Sequence, residues 1–113
     1  MSAKLLSLSK NEDFKSLLNG KKISNKYLTI FFKSLSGKSN KYLNISFVAQ
    51  KKLGNAVKRN KIKRRLRNIM NDATKKINLN LKYCYLLIAK ISVLNEPYKN
   101  IKQTLFSDFE KIK

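Results

Sequence analysis

The chain has 113 residues, and its 26 Lys and Arg residues against 6 Asp and Glu residues give a formal net charge of +20 at pH 7. A charge of this size predicts a polyanionic partner such as a nucleic acid. Because 42% of the residues are apolar, including six Phe and five Tyr, the composition excludes a wholly disordered basic tail and predicts one folded domain over residues 1–113.

Membrane insertion and redox chemistry are not predicted. The sequence has no stretch of about 18 apolar residues, and its N-terminus lacks an apolar run followed by a small-residue cleavage site. We therefore expect a cytoplasmic protein without a membrane partner. The single cysteine, Cys84, lies in the apolar run YCYLLIAK, so we expect it to be a buried packing residue rather than part of a disulfide.

A short helix is predicted near the start of the chain. Asn11 is a suitable cap, Glu12 and Asp13 place negative charge in the first turn, and Gly20 ends the segment.

Two strands are predicted after this helix. They are the segments YLTIFF and YLNISFVA, residues 27–32 and 42–49, which are rich in aromatic and branched side chains.

The connection between these two strands is polar and contains Gly37, which favours an antiparallel hairpin with a long loop.

From about residue 55 to residue 73, apolar side chains then recur on one face of a helix. The residues of this face are Ile62, Leu66, Ile69, Met70 and Ala73.

The last third of the chain predicts a strand and a helix. Residues 83–90 form a nearly continuous apolar run, which is typical of a strand interior to a sheet. Asn95, Glu96 and Pro97 then open a final helix. The residues expected on its buried side are Ile101, Leu105, Phe109 and Ile112. The order helix, strand, strand, helix, strand, helix indicates an α+β fold in which helices pack on a small sheet.

The central helix is strongly basic. All four arginines of the chain fall within nine consecutive residues of the segment KKLGNAVKRNKIKRRLRNIM, which spans residues 51–70. Residues 14–71 contain 16 basic residues and no acidic one. Because the planar guanidinium binds phosphate oxygens two at a time, this cluster indicates a phosphate-reading surface. The four arginines are Arg59, Arg64, Arg65 and Arg67.

A helical projection at about 100° per residue separates the basic side chains from the apolar stripe. The positions opposite the stripe are Asn60, Lys61, Lys63, Arg64, Arg67 and Asn68. Lys58 and Arg59 flank the stripe, so we expect them to point along the surface beside the sheet. An ordinary solvated face would interleave Glu for i,i+4 pairs, and this face has none. Lys51 and Lys52 precede Gly54 at the helix start, where free N–H groups and the helix dipole favour a phosphate.

The segment KKLGNAVKRNKIKRRLR closely resembles the signature of the bacterial ribonuclease P protein family, in which a Lys-Lys-apolar-Gly turn leads into a helix with an Arg-Asn-basic-apolar-Lys-Arg motif. The NEDF of the first helix, the YLTIFF strand, the length near 110 residues and the apolar strand ending at residues 88–90 occur in the family's order. The resemblance implies four strands, where the residues alone predict three. It implies a ribosomal-protein-S5-domain-2-like fold in the order α-β-β-β-α-β-α, with a left-handed crossover through the basic helix.

The resemblance also implies a function. In this family the RNA subunit of ribonuclease P and its magnesium ions remove the 5′ leader of precursor tRNA, and the protein is an accessory subunit of the endoribonuclease without catalytic residues or a cofactor of its own. The sequence agrees, because it has no His, no pair of cysteines and no acidic cluster in the basic centre. The residues that would bind the RNA subunit are Lys51, Lys52, Arg59, Asn60, Lys61, Lys63, Arg64 and Arg67. Lys61 stands where an arginine is common in the family, which keeps the charge but not the bidentate fork.

The family further binds the single-stranded leader between the first helix and the sheet, where aromatic rings stack on bases. The positions that match this cleft are Phe14, Leu18, Phe31 and Lys52. Leu18 replaces an aromatic residue of many relatives, so we expect weaker stacking there. Phe14 and Phe31 are equally compatible with core packing, since alternation along residues 27–32 leaves either face of the strand as the core.

Three other functions were compared with this interpretation. A ribosomal or other structural RNA-binding protein would share the charge and the small fold. A self-sufficient nuclease would need carboxylates or histidines gathered on the positive surface, and the six acidic residues lie at the ends or edges of predicted elements. A duplex-DNA reader would need a second helix and a tight turn to dock the basic helix in a groove, and no such pair is predicted.

Overall fold

The computed structural model describes residues 4–8, 10–38 and 41–112. In this part of the chain, five strands form one mixed sheet with helices on both faces. The elements in chain order are β1 (Lys4–Leu6), α1 (Asn11–Leu18), β2 (Lys21–Ser24), β3 (Leu28–Lys33), β4 (Tyr42–Val48), a 3₁₀ turn (Lys51–Leu53), α2 (Ala56–Lys76), β5 (Cys84–Ala89), α3 (Ser92–Asn95) and α4 (Tyr98–Glu110). The α+β class is confirmed, and so, from α1 onward, is the order α-β-β-β-α-β-α that the resemblance implies, with α3 as an additional short helix.

The sheet has the order β1-β4-β5-β3-β2, with β5 at its centre. Strand β5 is antiparallel to β3 and parallel to β4. The predicted antiparallel hairpin between residues 27–32 and 42–49 is therefore wrong, because β5 lies between these two strands. The physical reason for this arrangement is that β5 (CYLLIA) is apolar on both faces and needs a paired neighbour along each edge. Residues 39 and 40 of the predicted hairpin loop lie outside the described residues.

The described residues contain five strands, whereas the residue patterns predicted three and the resemblance implied four. The two strands that the residue patterns did not predict, β1 and β2, lie at the edges of the sheet. Strand β2 pairs antiparallel with β3, and β1 pairs parallel with β4. Their sequences, KKIS and KLL, are short and rich in lysine, which suits a sheet edge and gives little apolar alternation. The β4–α2–β5 connection joins two parallel neighbours and is the connection for which a left-handed crossover is expected.

The main core lies between the sheet and helices α2 and α4. All five residues predicted on the buried stripe of α2 are buried, and each has 0% relative exposure. They pack with alternate residues of the central strands, such as Ile30 and Leu87, and with the apolar side of α4. Ile112 is also buried, although it lies beyond the end of α4. We call this side of the sheet the α2 face.

The opposite side, the α1 face, carries a smaller core. It consists of Leu8, Leu17, Cys84 and Leu86, which are buried, with half-buried apolar neighbours around them. The prediction for Cys84 is confirmed, since the residue is 1% exposed and burial raises the pKa of its thiol. Helix α1 has only eight residues, so it covers part of this face and leaves the remainder accessible.

The cap of α1 differs from the prediction. Asn11 is the first helical residue, and Lys10 occupies the cap position without a side-chain hydrogen bond. Glu12 and Asp13 lie in the first turn as predicted. Their carboxylates interact favourably there with the positive end of the helix dipole. At the other end, a Cβ on Gly20 would lie 2.7 Å from the carbonyl oxygen of Phe32. The close approach of the α1 end to β3 therefore requires glycine and fixes α1 over the α1 face.

Within the described residues, none of the helices combines the length and the apolarity needed to cross a membrane.

Candidate nucleic-acid interface

Helix α2 presents most of its predicted binding residues to solvent. Asn60, Lys61, Arg64 and Arg67 are exposed, and Lys63 is half-buried. The buried stripe on the opposite side fixes the rotation of the helix about its own axis, so the basic face cannot turn inward. Helical periodicity in the sequence predicts this division correctly.

The start of α2 is also well defined. The side chain of Asn55 caps the helix by accepting a hydrogen bond from the backbone N–H of Lys58 at 3.0 Å. Gly54 has φ of +137°, a conformation that side chains rarely adopt, and it turns the chain from the 3₁₀ turn into the helix. Lys51 and Lys52 are exposed in that turn, beside the first turn of α2. The structure thus places the predicted lysine pair next to the basic helix.

Arg65 has a different environment from the other arginines. Its guanidinium donates hydrogen bonds to the carbonyl oxygens of Val93 at 3.0 Å, Leu94 at 3.1 Å and Glu96 at 3.2 Å. These carbonyls lie at the end of the short helix α3, where backbone acceptors lack partners within the helix. The interpretation of all four arginines as one phosphate-reading surface is therefore corrected, because Arg65 joins α2 to α3.

Arg59 and Arg67 are held near the protein surface. Arg59 is half-buried, as its place beside the apolar stripe predicts, and its buried Nε has no hydrogen-bond acceptor among the described residues. The guanidinium carbon of Arg67 lies 5.7 Å from the centre of the Phe47 ring, within cation–π range. Arg67 is exposed, yet it leans toward β4 instead of pointing straight outward as the helical projection suggests.

The predicted leader cleft lies on the α1 face. Phe14 and Phe31 are half-buried there and pack around the smaller core, whereas Leu18 is 49% exposed. In β3, Leu28, Ile30 and Phe32 point to the main core. This shows which face of the strand is buried in that core, a choice that the alternation of residues left open. Tyr27 precedes the strand and also packs in the main core, so it departs from the alternation. Phe31 therefore combines partial packing with an accessible ring.

Lys52 and Phe31 belong to the same side of the sheet. Lys52 lines a cavity of about 320 Å³ together with Thr29 and Ile88. Thr29 and Ile88 are register partners, and the next pair on this face is Phe31 with Leu86. The structure thus brings one lysine of the basic segment to the edge of the cleft, next to aromatic and apolar side chains.

Lys22 is a further residue of this surface that the sequence analysis missed. It is exposed on β2 and is the register partner of Phe31. The sequence does not predict β2 as a strand. Without the pairing of β2 with β3, nothing in the sequence shows that residues 22 and 31 are neighbours. Lys22 adds positive charge beside the ring of Phe31, on the side of the cleft away from Lys52.

The acidic residues lie away from the basic face of α2. Asp13 pairs with Lys38 at 2.7 Å, Asp72 with Lys102 at 2.9 Å, and Glu96 with Lys26 at 2.8 Å. The hydrogen bond from Lys102 lowers the pKa of the Asp72 carboxyl, so this acid stays ionised in its pair. In the part of the chain that the structure describes, no three His, Cys, Asp or Glu side chains come together as metal ligands. The basic face thus keeps its full positive charge.

This combination of a basic helix, an adjacent lysine turn and an aromatic cleft agrees with the comparison to known proteins. The family model described as Ribonuclease P matches residues 3–113. The chain belongs to the ribonuclease P protein family. It is therefore a protein component of ribonuclease P, an endoribonuclease of tRNA processing. Proteins of this family work with the ribonuclease P RNA.

Relatives and solved structures support the same assignment over nearly the whole chain. The ribonuclease P protein component of Mycoplasma mycoides subsp. mycoides SC is 34% identical over 107 residues, which are 94% of each chain. The RNase P protein of Staphylococcus aureus has a TM-score of 0.75 and 25% identity, over 94% of this chain and 93% of that one. The protein from Thermotoga maritima has a TM-score of 0.78 at 21% identity, over 96% and 98% of the two chains, and shows the shared fold.

The different environments of Arg64 and Arg65 lead to a prediction about stability. Arg65→Met removes the donors to three backbone carbonyls while keeping the apolar stem, so we expect the free energy of unfolding to fall by about 1–3 kcal/mol. Arg64→Met changes an exposed side chain and should alter it by less than about 0.5 kcal/mol. Urea unfolding of both variants at one fixed salt concentration measures this difference. Equal stabilities of the two variants would show that the Arg65 hydrogen bonds contribute nothing.

Proposed function

We propose that α2 and the preceding lysine turn bind the RNA subunit of ribonuclease P, while the α1 face holds the 5′ leader of precursor tRNA. The observation that carries this proposal is the position of Lys52, which belongs to the basic segment and also lines the sheet surface that bears Phe31. One protein surface can thereby contact the RNA subunit and an adjacent single strand at the same time.

Charge and geometry support the assignment of α2 to the RNA subunit. Its exposed cations have no acid among residues 14–71 to neutralise them, so they create a continuous positive field. Folded RNA is recognised largely through its backbone and shape, which a rigid row of Lys and Arg side chains fits. The residues assigned to this contact are Lys51, Lys52, Arg59, Asn60, Lys61, Lys63, Arg64 and Arg67.

The cleft fits a single strand. Half-buried aromatic rings offer a face for base stacking that does not depend on sequence, and flanking lysines follow the phosphates. Phe14 and Phe31 supply the rings, with Lys52 on one side, and Leu18 provides an apolar contact without stacking. A precursor tRNA would thus be held by its leader, a part that mature tRNA lacks. This explains how a protein without catalytic groups favours substrate over product.

Cleavage is assigned to the RNA subunit and its magnesium ions, and we infer that this chain is an accessory, RNA-binding subunit in the cytoplasm. The described residues do not fit a magnesium site, since their carboxylates are dispersed and four of them are held in ion pairs with lysines. The protein contribution is therefore positioning and charge neutralisation. It binds no cofactor and no DNA in this proposal.

The first experiment measures cleavage of a precursor tRNA by the RNA subunit from the same source at low magnesium concentration. Adding this protein should strongly increase cleavage at the mature 5′ end, because its cations replace part of the magnesium in neutralising phosphates. The protein alone should not cut. The absence of a gain would favour the alternative, a ribosomal or other structural RNA-binding protein, for which sedimentation with ribosomes is the corresponding test.

The contact of α2 with the RNA subunit predicts a salt effect. Arg64→Ala should weaken binding and reduce the slope of log K against log salt by about one unit, since each lost phosphate contact removes about one released counterion. The same holds for Arg67→Ala. Lys99→Ala removes one charge from an exposed position on α4 and serves as the matched control, with a slope close to that of the unchanged protein. An unaltered slope for Arg64→Ala would place that residue outside the interface.

The leader contact predicts a difference between precursor and mature tRNA. Phe31→Leu keeps apolar volume but removes the ring, so affinity for a leader-bearing precursor should fall by about 1–3 kcal/mol for one lost stacked base, while affinity for mature tRNA should not change. Phe106→Leu removes a half-buried ring from α4, on the other side of the sheet, and controls for general damage. Equal losses for both tRNA forms would rule out Phe31 as a leader contact.

A further inference from the structure

A second cavity lies at the other edge of the sheet, between β1, β4 and the second half of α2. Its volume is about 500 Å³, within the range of small-molecule sites. Leu5 of β1 and Phe47 of β4, which are half-buried, provide its apolar surface over the buried Ile45, and Lys4, Arg67 and Lys75 provide positive charge. None of the residues assigned to the RNA subunit or the leader, except Arg67, lines this cavity.

The cavity is built by regular features of the fold. On α2, positions 67, 71, 74 and 75 follow helical spacing and form one side of the helix that faces the β1 edge. Strand β1 pairs with β4 along only three residues, so this edge of the sheet is short. The cavity is therefore bounded mainly by α2, β1 and β4, and Ser7, which follows β1, completes its lining.

The chemistry of the cavity is that of a nucleotide site. Arg67 lies over the ring of Phe47 at 5.7 Å, and this contact limits the orientations of a guanidinium whose other side is exposed. Bases stack on Arg planes as well as on aromatic rings. Lys4 and Lys75 are exposed at the same cavity, where a phosphate needs positive charge. No carboxylate lines the cavity, and the neighbouring Asp72 is paired with Lys102 at 2.9 Å.

We propose that this cavity binds one unpaired nucleotide of the RNA subunit, with its base on Arg67 and Phe47 and its phosphate between Lys4 and Lys75. The proposal rests on the proposed function, because α2 brings the RNA subunit to this edge. It extends the contact beyond the exposed basic face, around the helix to the sheet. A free anion would leave the apolar surface of Leu5 and Phe47 unused, which favours a nucleotide.

The first test is the affinity of the RNA subunit for two neighbouring variants. Lys75→Gln should weaken binding several-fold and lower the slope of log K against log salt by about 0.7 for a single-stranded contact. Lys76→Gln is the matched control, because Lys76 is also exposed at the end of α2 but lines a different cavity. Identical losses for the two variants would overturn the proposal, since they would reflect charge alone.

The second test locates the RNA directly. The photoreactive amino acid p-benzoylphenylalanine in place of Thr74, which lines the cavity, should crosslink to one unpaired nucleotide of the RNA subunit in the holoenzyme. The same group in place of Gln103, exposed on α4, should not. Crosslinks only to precursor tRNA, or only to paired nucleotides, would overturn the assignment.

Failure of this proposal differs from failure of the proposed function. If Arg64→Ala weakens binding of the RNA subunit while Lys75→Gln equals Lys76→Gln, the α2 contact stands and only the cavity site is wrong. If Arg64→Ala also leaves binding unchanged, the RNA-binding role of α2 itself is wrong.

Discussion

The burial of β5 on both faces and along both edges is the constraint on which the other elements depend. A strand of sequence CYLLIA needs a layer on each side, and α2 with α4 covers one side completely. On the other side the eight-residue α1 covers only part of the sheet. The accessible surface beside Phe31 is thus a consequence of unequal layers. The same requirement separates β3 from β4 and places the 3₁₀ turn, which follows β4, at one end of that surface.

Helix α2 contributes both to the main core and to the positively charged surface. Its buried stripe completes the main core, and this fixes the direction in which its cations point. A net charge of +20 repels itself, so the compact state is favoured by any polyanion that binds the basic face. Among the described ion pairs, those of Asp13, Asp72 and Glu96 hold lysines of loops and of α4. A further pair joins Asp108 of α4 to Lys111. These pairs lie outside the exposed basic face of α2 and leave its charge unneutralised.

Local patterns predicted the elements that are long and periodic. The α2 stripe followed from helical spacing, and the interior position of β5 and the burial of Cys84 followed from a nearly continuous apolar run. Strand pairing did not, because the choice of β5 over a hairpin depends on contacts between residues 40 to 61 positions apart in the chain. Edge strands β1 and β2 are too short and too rich in lysine to show alternation. The contact of Arg65 with carbonyls 28 to 31 residues away also leaves no trace in periodicity.

The arginines of α2 illustrate why residue type alone does not define a site. Arg65 has its donors occupied by carbonyls, Arg67 is oriented by Phe47, and Arg64 is exposed. An oriented side chain loses less conformational freedom when it binds than a free one does, so Arg67 requires less ordering than an exposed lysine. The lysines are spread over the whole chain, so they extend the positive field beyond α2. Within one cluster, Arg65 therefore joins two helices, Arg67 is oriented beside β4, and Arg64 adds charge to the exposed face.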